Sequence, residues 1–416
     1  MKLQLTAIAA AVSLAVSGAA LAQTTVTSNS DLTYTSIGQS QGGGYGLDND
    51  NSNVDTTEWD GFPPARDGAF SGFQSELDAM VGSTAGANEN LSTIDQTATG
   101  QTGNQASVVQ GGGDQNESNI TQNQLESGDA LKADVIQDGN QNRSDIDQEL
   151  STGAVANVSQ QGDGNLSQVD QYGADRNGAD VSQSGNDHQS IIYQGVDEGG
   201  AADNDARVTQ TNSNNQSYIR QQWFDNYAES NQTGADNISH IKQAGSDNEA
   251  MLSQSGNVNT SYILQGESGT GDLNTADVSQ SGDYNDSYVS QLNGDNNDAT
   301  VSQSGSDGVS NVLQSGSNND ASISQSGEGD VSWVIQEGDN KAADVTQSGV
   351  GIAGEEFNES FILQNGGGTH SAVVTQDHNP AGGWNNISTI TQTGAVNASA
   401  SVTQTGSGNR ASTIQY

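Results

Sequence analysis

A glutamine recurs about every eleven or twelve residues between Gln96 and Gln415. Serine stands four residues before every second glutamine up to Gln392, and alanine stands four residues before each glutamine between them, without exception over thirteen units of each kind. The repeat is therefore a pair of units, S-x-[IV]-x-Q followed by A-x-[VIL]-x-Q. A fixed period of this size indicates a repeat architecture, in which each unit is covered by its neighbours.

Each unit has the pattern of a β-strand followed by a tight turn. In one unit Ala276, Val278 and Gln280 alternate with polar residues, and alternate side chains of a strand share one face. Glycine near two residues after the glutamine and asparagine near five after it are turn residues, because both tolerate positive φ. Two units close one coil of about 22 residues. The sequence predicts an all-β fold, a two-sheet β-solenoid of about 13 strand-turn-strand coils.

The inner columns of this solenoid are predicted to hold Asn, then Ser or Ala, then Val or Ile, then Gln. A buried amide is satisfied if it bonds to the identical amide one rung above and below. Thirteen pairs and a final half coil, at roughly 4.8 Å per rung, give a length on the order of 65 Å with open sheet edges at both ends. We expect the ladder and assembly residues to be Gln96, Gln110, Gln254, Gln280, Gln291, Gln303, Gln314, Gln325, Gln404 and Gln415, with Asn259, Asn285 and Asn296.

A second column, three residues before the glutamine on the serine units, is rich in aromatic residues. The position is predicted to point outward, and its aromatic members are Tyr218, Tyr262, Tyr288, Trp333 and Phe361. One interpretation is a ladder of cross-strand aromatic pairs that stabilises the sheet. The other is an adhesive face for neighbouring fibrils, for surfaces or for the N-terminal segment of the chain.

The spacing Q-x4-N-x5-Q, as in Gln280, Asn285 and Gln291, resembles the curlin repeat of bacterial curli fibres. The final stretch V-T-Q-T-G-S-G-N-R-A-S-T-I-Q-Y is similar to the end of the major curli subunit. The resemblance covers residues 90 to 416 and departs from the usual pattern in placing serine at minus four, with Asn at minus six, and in having more than twice the usual repeats. It implies an extracellular amyloid fibre of a biofilm matrix that polymerises with itself. It also implies an outer-membrane curli export channel and a nucleator subunit as partners.

The N-terminal part of the chain differs in composition from the repeats. Residues 1–22 read as a secretory signal peptide, with an apolar run that ends in A-L-A before Gln23. Residues 23–89 begin as a low-complexity, Gly-rich and Asp/Asn-rich segment, predicted to be disordered, and continue with an aromatic portion near Trp59 and Phe73. Two roles are considered for this segment: a cap that packs on the repeat domain, or a signal that the export channel recognises. No other apolar run is long enough to cross a membrane.

Charge and residue types argue against nucleic acid binding and catalysis. Loss of Lys2 with the signal leaves nine basic and 52 acidic residues, a net charge near −43, whereas phosphate binding needs Lys and Arg. We expect this charge to hold subunits apart before export. The four histidines, His188, His240, His370 and His378, are interpreted as solvated loop residues, and His370 and His378 as flanking a loop. The sequence predicts no enzyme, no cofactor and no metal site.

The predicted function is a structural subunit of curli-like fibres in adhesion and biofilm, secreted through the periplasm to the cell surface. The alternative is a cell-bound β-solenoid adhesin or a fibre-nucleating minor subunit built on the same repeats. Electron micrographs of the purified protein discriminate between them, because only the first forms long fibres alone.

Overall fold

The computed structural model describes residues 90–98, 103–124, 129–195, 201–266, 271–349, 358–378 and 385–416. The predictions made for residues 1–22 and 23–89 lie outside these ranges. The described residues form strands and turns, and no helix among them could span a membrane. Twenty-seven of the strands pair with strands of the same unit type, so the glutamine period marks strands as predicted.

Strands alternate between two large parallel sheets as the chain advances. The serine sheet contains the serine units and has 14 strands. These are β1 Leu91–Ala98, β3 Glu117–Gln124, β5 Arg143–Glu149, β7 Leu166–Tyr172, β10 Gln189–Gly195, β13 Gln216–Gln222, β15 Ile238–Ala244, β17 Thr260–Gln265, β19 Asp286–Leu292, β21 Val309–Ser315, β23 Val331–Glu337, β25 Asn358–Asn365, β27 Asn386–Thr393 and β29 Arg410–Gln415.

The alanine sheet contains the alanine units and has 13 strands. These are β2 Gln105–Gly111, β4 Lys132–Asp138, β6 Val155–Gln161, β9 Gly178–Asn186, β12 Asp205–Ser213, β14 Tyr227–Gln232, β16 Glu249–Gln254, β18 Thr275–Gln280, β20 Asp298–Gln303, β22 Asp320–Gln325, β24 Ala342–Gly349, β26 His370–His378 and β28 Ala398–Thr405. A separate two-stranded sheet pairs β8 Ala174–Asp175 with β11 Ala201–Ala202 at the turns. The prediction of a two-sheet β-solenoid with about 13 coils is confirmed.

Identical positions of successive units lie directly opposite each other. In the serine sheet Ser261 pairs with Ser287 and Gln265 with Gln291, and in the alanine sheet Ala276 pairs with Ala299. This register follows from the period-two pattern, because a slip by one residue would turn every inward side chain outward.

The core between the sheets consists of small and β-branched side chains. One buried cluster runs through the coils and contains the Ala column of the alanine sheet and the Val, Ile and Leu columns of both sheets. Ser230 replaces the branched residue of β14, and its Oγ lies 2.6 Å from Ser239 Oγ of the serine sheet. A hydroxyl in this position therefore finds its partner across the core.

Glycine at the turns permits the close stacking of successive coils. A Cβ built on Gly282 would overlap the carbonyl oxygen of Gly305 in the next coil, and one built on Gly305 would overlap that of Gly327. The same turns contain residues at positive φ, such as Tyr284 at 58° and Asp307 at 57°. Any side chain at these glycines would force the coils apart, which is why the turn column is glycine.

Candidate assembly surfaces

The glutamine side chains form one hydrogen-bonded ladder inside each sheet. Along each ladder the Nε2 donates to the Oε1 of the glutamine one strand further along, for example Gln254 to Gln280 at 2.8 Å and Gln280 to Gln303 at 2.9 Å. The ladder residues named from the sequence all take part, as donor or acceptor: Gln96, Gln110, Gln254, Gln280, Gln291, Gln303, Gln314, Gln325, Gln404 and Gln415.

The second N–H of each amide ties the two sheets together. Gln254 Nε2 in the alanine sheet donates to Ile238 O in the serine sheet at 3.0 Å, and Gln291 Nε2 donates in the opposite sense to Thr275 O at 2.8 Å. Both glutamines are fully buried. Because both donor hydrogens and the acceptor oxygen are used, the polar column does not carry the cost of an unpaired buried amide.

Asparagine forms a second kind of ladder at the start of the strands. Asn259 N donates to Asn237 Oδ1 at 2.9 Å, and Asn285 N donates to Asn259 Oδ1 at 2.9 Å. The predicted ladder position of Asn296 is wrong. Asn296 is an exposed turn residue at φ 56°, and the buried ladder residue is its neighbour Asn297, which donates to Asn274 Oδ1. The turn is one residue longer there than counting forward from the preceding glutamine assumes.

Two charged residues stand in the asparagine ladders of a single coil. Asp330 precedes β23, is buried and accepts hydrogen bonds from Gly327 N at 2.9 Å and Asn358 Nδ2 at 2.9 Å. Burial raises the pKa of Asp330 to about 6, and the bonds from Asn358 and Gly327 oppose that shift. Lys341 precedes β24 and donates from Nζ to three backbone carbonyl oxygens, including Gly366 O at 2.8 Å.

The interpretation of the histidines as solvated loop residues is wrong. His188 stands in the asparagine ladder and is fully buried, and burial lowers its pKa. His240 is 6% exposed, and burial lowers its pKa to about 3. His370 and His378 do not flank a loop but are the first and last residues of β26. Within the described ranges, no group of three or more His, Cys, Asp or Glu side chains is arranged to hold a metal ion.

The aromatic column points away from the core, and its rings contact one another. The ring centroids of Tyr218 and His240 are 4.6 Å apart, and those of Tyr262 and Tyr288 are 5.3 Å apart and stacked. Tyr288 and Phe361 are each 1% exposed and Trp333 is 6% exposed, so this face is not open to solvent at these positions. The ring contacts match the cross-strand ladder of the first interpretation, while a role in adhesion stays a prediction.

Towards the N-terminal end the outer face of the serine sheet is acidic. Asp147 and Asp170 are paired in register, with Asp145 two residues before Asp147 on the same strand. Burial raises the pKa of Asp147 to about 7, and the nearby carboxylates of Glu149, Asp170 and Asp145 add to the shift. Like charges on adjacent rungs disfavour one another, so this carboxyl keeps its proton to a higher pH than an exposed aspartate does.

The edge strands leave core positions uncovered. Ile94 of β1 is 44% exposed, whereas Ile120, the same position one strand further in, is 1% exposed. All eight residues of β1 are exposed. An edge with unpaired backbone groups and an open apolar column is a template for another strand.

A comparison with protein families identifies the repeat. The model of the curlin associated repeat matches residues 245–273, 271–305 and 312–349. These matches lie on β16 to β24, where both glutamine ladders are continuous. No curated protein matches the chain significantly.

Proposed function

Because this chain belongs to the curlin family, we propose that it is a structural subunit of extracellular curli-like amyloid fibres that act in adhesion and in a biofilm matrix. Subunits join end to end through their open sheet edges. The family is structural rather than enzymatic. The ladders of this chain hold successive strands and the two sheets together.

The observation that carries the proposal is the continuity of the ladders up to edge strands that remain uncovered. Glutamine amides bond in register from Gln96 to Gln415, and the next strand in that series can come from another copy. Stacked identical strands with amide ladders are the arrangement that stabilises amyloid fibres. A subunit of this kind already contains the cross-β core before it polymerises.

The proposal includes secretion and two kinds of partner. A signal peptide in residues 1–22 and passage through an outer-membrane curli export channel would bring the subunit to the cell surface. A nucleator subunit would start the fibre there. The absence of cysteine suits this route, since a chain without disulfides crosses a channel unfolded without being trapped by oxidation.

Fibre diffraction and electron microscopy of the purified mature chain test the proposal. We expect unbranched fibres with a meridional reflection near 4.8 Å, because each strand continues the backbone ladder across the junction. Freshly desalted monomer is the control and has no fibres. A chain that stays monomeric after long incubation contradicts the proposal and favours a cell-bound solenoid adhesin.

A further inference from the structure

One outward column of the serine sheet carries charges that are segregated by sign. On five successive strands, β5, β7, β10, β13 and β15, the residue just before the ladder glutamine is Asp147, Asp170, Tyr193, Arg220 and Lys242. These five residues form the central charge column. All five are half-buried, so each keeps part of its surface for a partner.

Inside one chain this order of charges is unfavourable. Asp147 lies directly opposite Asp170, and Arg220 lies directly opposite Lys242. Like charges on adjacent strands destabilise a sheet, and an exchange of Asp170 with Lys242 would place opposite charges side by side. The chain has 52 acidic and 10 basic residues, and two of those basic residues are neighbours here. A local rule that is broken without a gain inside the fold points to a functional site.

Tyr193 separates the two signs. On one side the guanidinium of Arg220 lies 5.2 Å from the centroid of its ring, and on the other side Tyr193 pairs in register with Asp170. The order is therefore acid, acid, aromatic, base, base, which is symmetric about β10 with the sign reversed. A column of this kind is complementary to a second copy of itself that is rotated by half a turn about β10.

We propose that the outer face of the serine sheet around β10 binds a second copy of this chain, face to face and with the two solenoids antiparallel. A two-fold axis along β10 places Asp170 of one copy opposite Arg220 of the other, and Asp147 opposite Lys242. Tyr193 meets its counterpart on the axis. Each ion pair occurs twice, because a two-fold contact is isologous. This inference goes beyond the proposed function and uses neither edge strand.

The size of the face and the range of its charges suit such a contact. The seven serine-sheet strands from β3 to β17 are centred on β10 and form a patch of about 34 Å by 20 Å, so about 1,300 Å² is buried in total, within the range of specific interfaces. Sheets pack about 10 Å apart, a gap that Arg and Lys side chains bridge to a facing carboxylate. The net charge of −42 opposes the approach of two copies, but it is screened beyond about 8 Å at physiological ionic strength.

Two double variants with the same charges as wild type test the proposal. Asp170→Lys with Lys242→Asp places opposite charges side by side within the chain, but like charges then meet across the two-fold axis. Asp170→Lys with Arg220→Asp has the same alternation within the chain and keeps opposite charges across the axis. Both variants remove the like-charge neighbours of the wild type, so neither is expected to lose stability. Thermal unfolding of each monomer checks this.

The measurement is sedimentation velocity of the freshly desalted full mature chain over a concentration series at physiological ionic strength. It is made at pH 8, where Asp147 is ionised although burial raises its pKa to about 7. We expect Asp170→Lys with Arg220→Asp to dimerise within about threefold of the wild-type Kd. Asp170→Lys with Lys242→Asp is expected to raise Kd at least about tenfold, because four ion pairs become like-charge contacts.

Three outcomes overturn the face-to-face dimer: equal dimerisation of the wild type and the variant that lacks complementarity, equal loss in both variants, or a wild type that is monomeric over the whole series. Electron microscopy scores fibre growth separately. Fibres without the dimer overturn this inference and leave the proposed function standing, whereas dimers without fibres contradict the proposed function alone.

Discussion

The serine and alanine sheets share an inner face and differ in their outer faces. Inward positions are buried on both, as shown by Ser310, Val312 and Gln314 of β21 and by the inward residues of β20. Outward positions of β20 are exposed, whereas Asn311 on β21 is only 8% exposed. The difference shows that the repeat constrains only the inward side chains, so the outer faces are free to diverge.

The outward residues of the serine sheet change in type from β1 towards the later strands. Acidic residues such as Asp147 lie towards β1, Arg220 and Lys242 lie opposite each other on β13 and β15, and aromatic and aliphatic residues such as Trp333 and Leu363 follow. The outward column of the alanine sheet has no such large buried residues among the described strands. We therefore expect substitutions on the outer serine face to cost more stability than equivalent ones on the outer alanine face.

The largest difference is expected for Phe361→Ala against Val373→Ala. Phe361 points outward from β25 and is 1% exposed, whereas Val373 points outward from the neighbouring β26 and is 36% exposed. Loss of the buried ring is expected to cost about 3 to 5 kcal/mol, and loss of the exposed methyl groups about 0.5 kcal/mol or less. The urea midpoints of the two monomers measure this. Equal shifts would mean that the two outer faces are energetically alike.

A smaller effect is expected where a charge interrupts an inner ladder. Asp330→Asn keeps an Oδ1 acceptor for Asn358 and removes a buried carboxylate, although Gly327 N loses its partner. Because burial raises the folded pKa of Asp330 to about 6, the wild type loses stability as pH rises from the unfolded value of 3.8 through 6. Asp330→Asn is therefore expected to be more stable than wild type by about 1 to 2 kcal/mol at pH 8.

The pH dependence provides the check on Asp330→Asn. Its advantage is expected to grow between pH 4 and pH 6 and to level off above that range. Asn285→Asp, at the same ladder position two strands earlier in the serine sheet, is the reciprocal variant and is expected to lose stability at pH 8. An Asp330→Asn advantage that is constant with pH would show that the carboxylate is not the cause.

The inner face could be predicted from the sequence because each inward column is dominated by one kind of side chain. Gln280 needs an amide above and below it, and Val278 needs a branched side chain that fits the thin core. The error at Asn296 came from counting forward through a turn of variable length. Asn297 and His188 each stand six residues before the next glutamine, so counting back from that glutamine places both in the ladder.

The burial of the outer serine face could not be predicted from the sequence in the same way. Strand alternation places Tyr288 and Phe361 outward, which is where the structure has them. The alternation of a strand gives the direction in which a side chain points. It does not give what covers that side chain, so the low exposure of these two residues could not be predicted from it. The outward residues Asp180, Arg207 and Glu229 illustrate the same limit: they lie opposite each other on successive strands, but register alone does not decide which groups pair.

The smallest effect on stability is expected for the ion pair of Arg207 on the exposed outer face of the alanine sheet. Its guanidinium bonds to Asp205 at 2.8 Å on the same strand, while the carboxylate of Glu229 on the next strand accepts a bond from Tyr227 at 2.6 Å. A double-mutant cycle of Arg207→Gln with Asp205→Asn is therefore expected to give a coupling of about 0.3 to 0.5 kcal/mol, which falls as salt rises.

The matched cycle of Arg207→Gln with Glu229→Gln sharpens this last prediction. The alternating column alone would predict that Arg207 couples to Glu229, because the two residues lie opposite each other. The structure directs the Glu229 carboxylate to Tyr227 instead, so we expect a coupling below about 0.2 kcal/mol at physiological salt. A larger coupling to Glu229 than to Asp205 would show that charges on this face pair between coils, and that the outer alanine face also contributes to stacking.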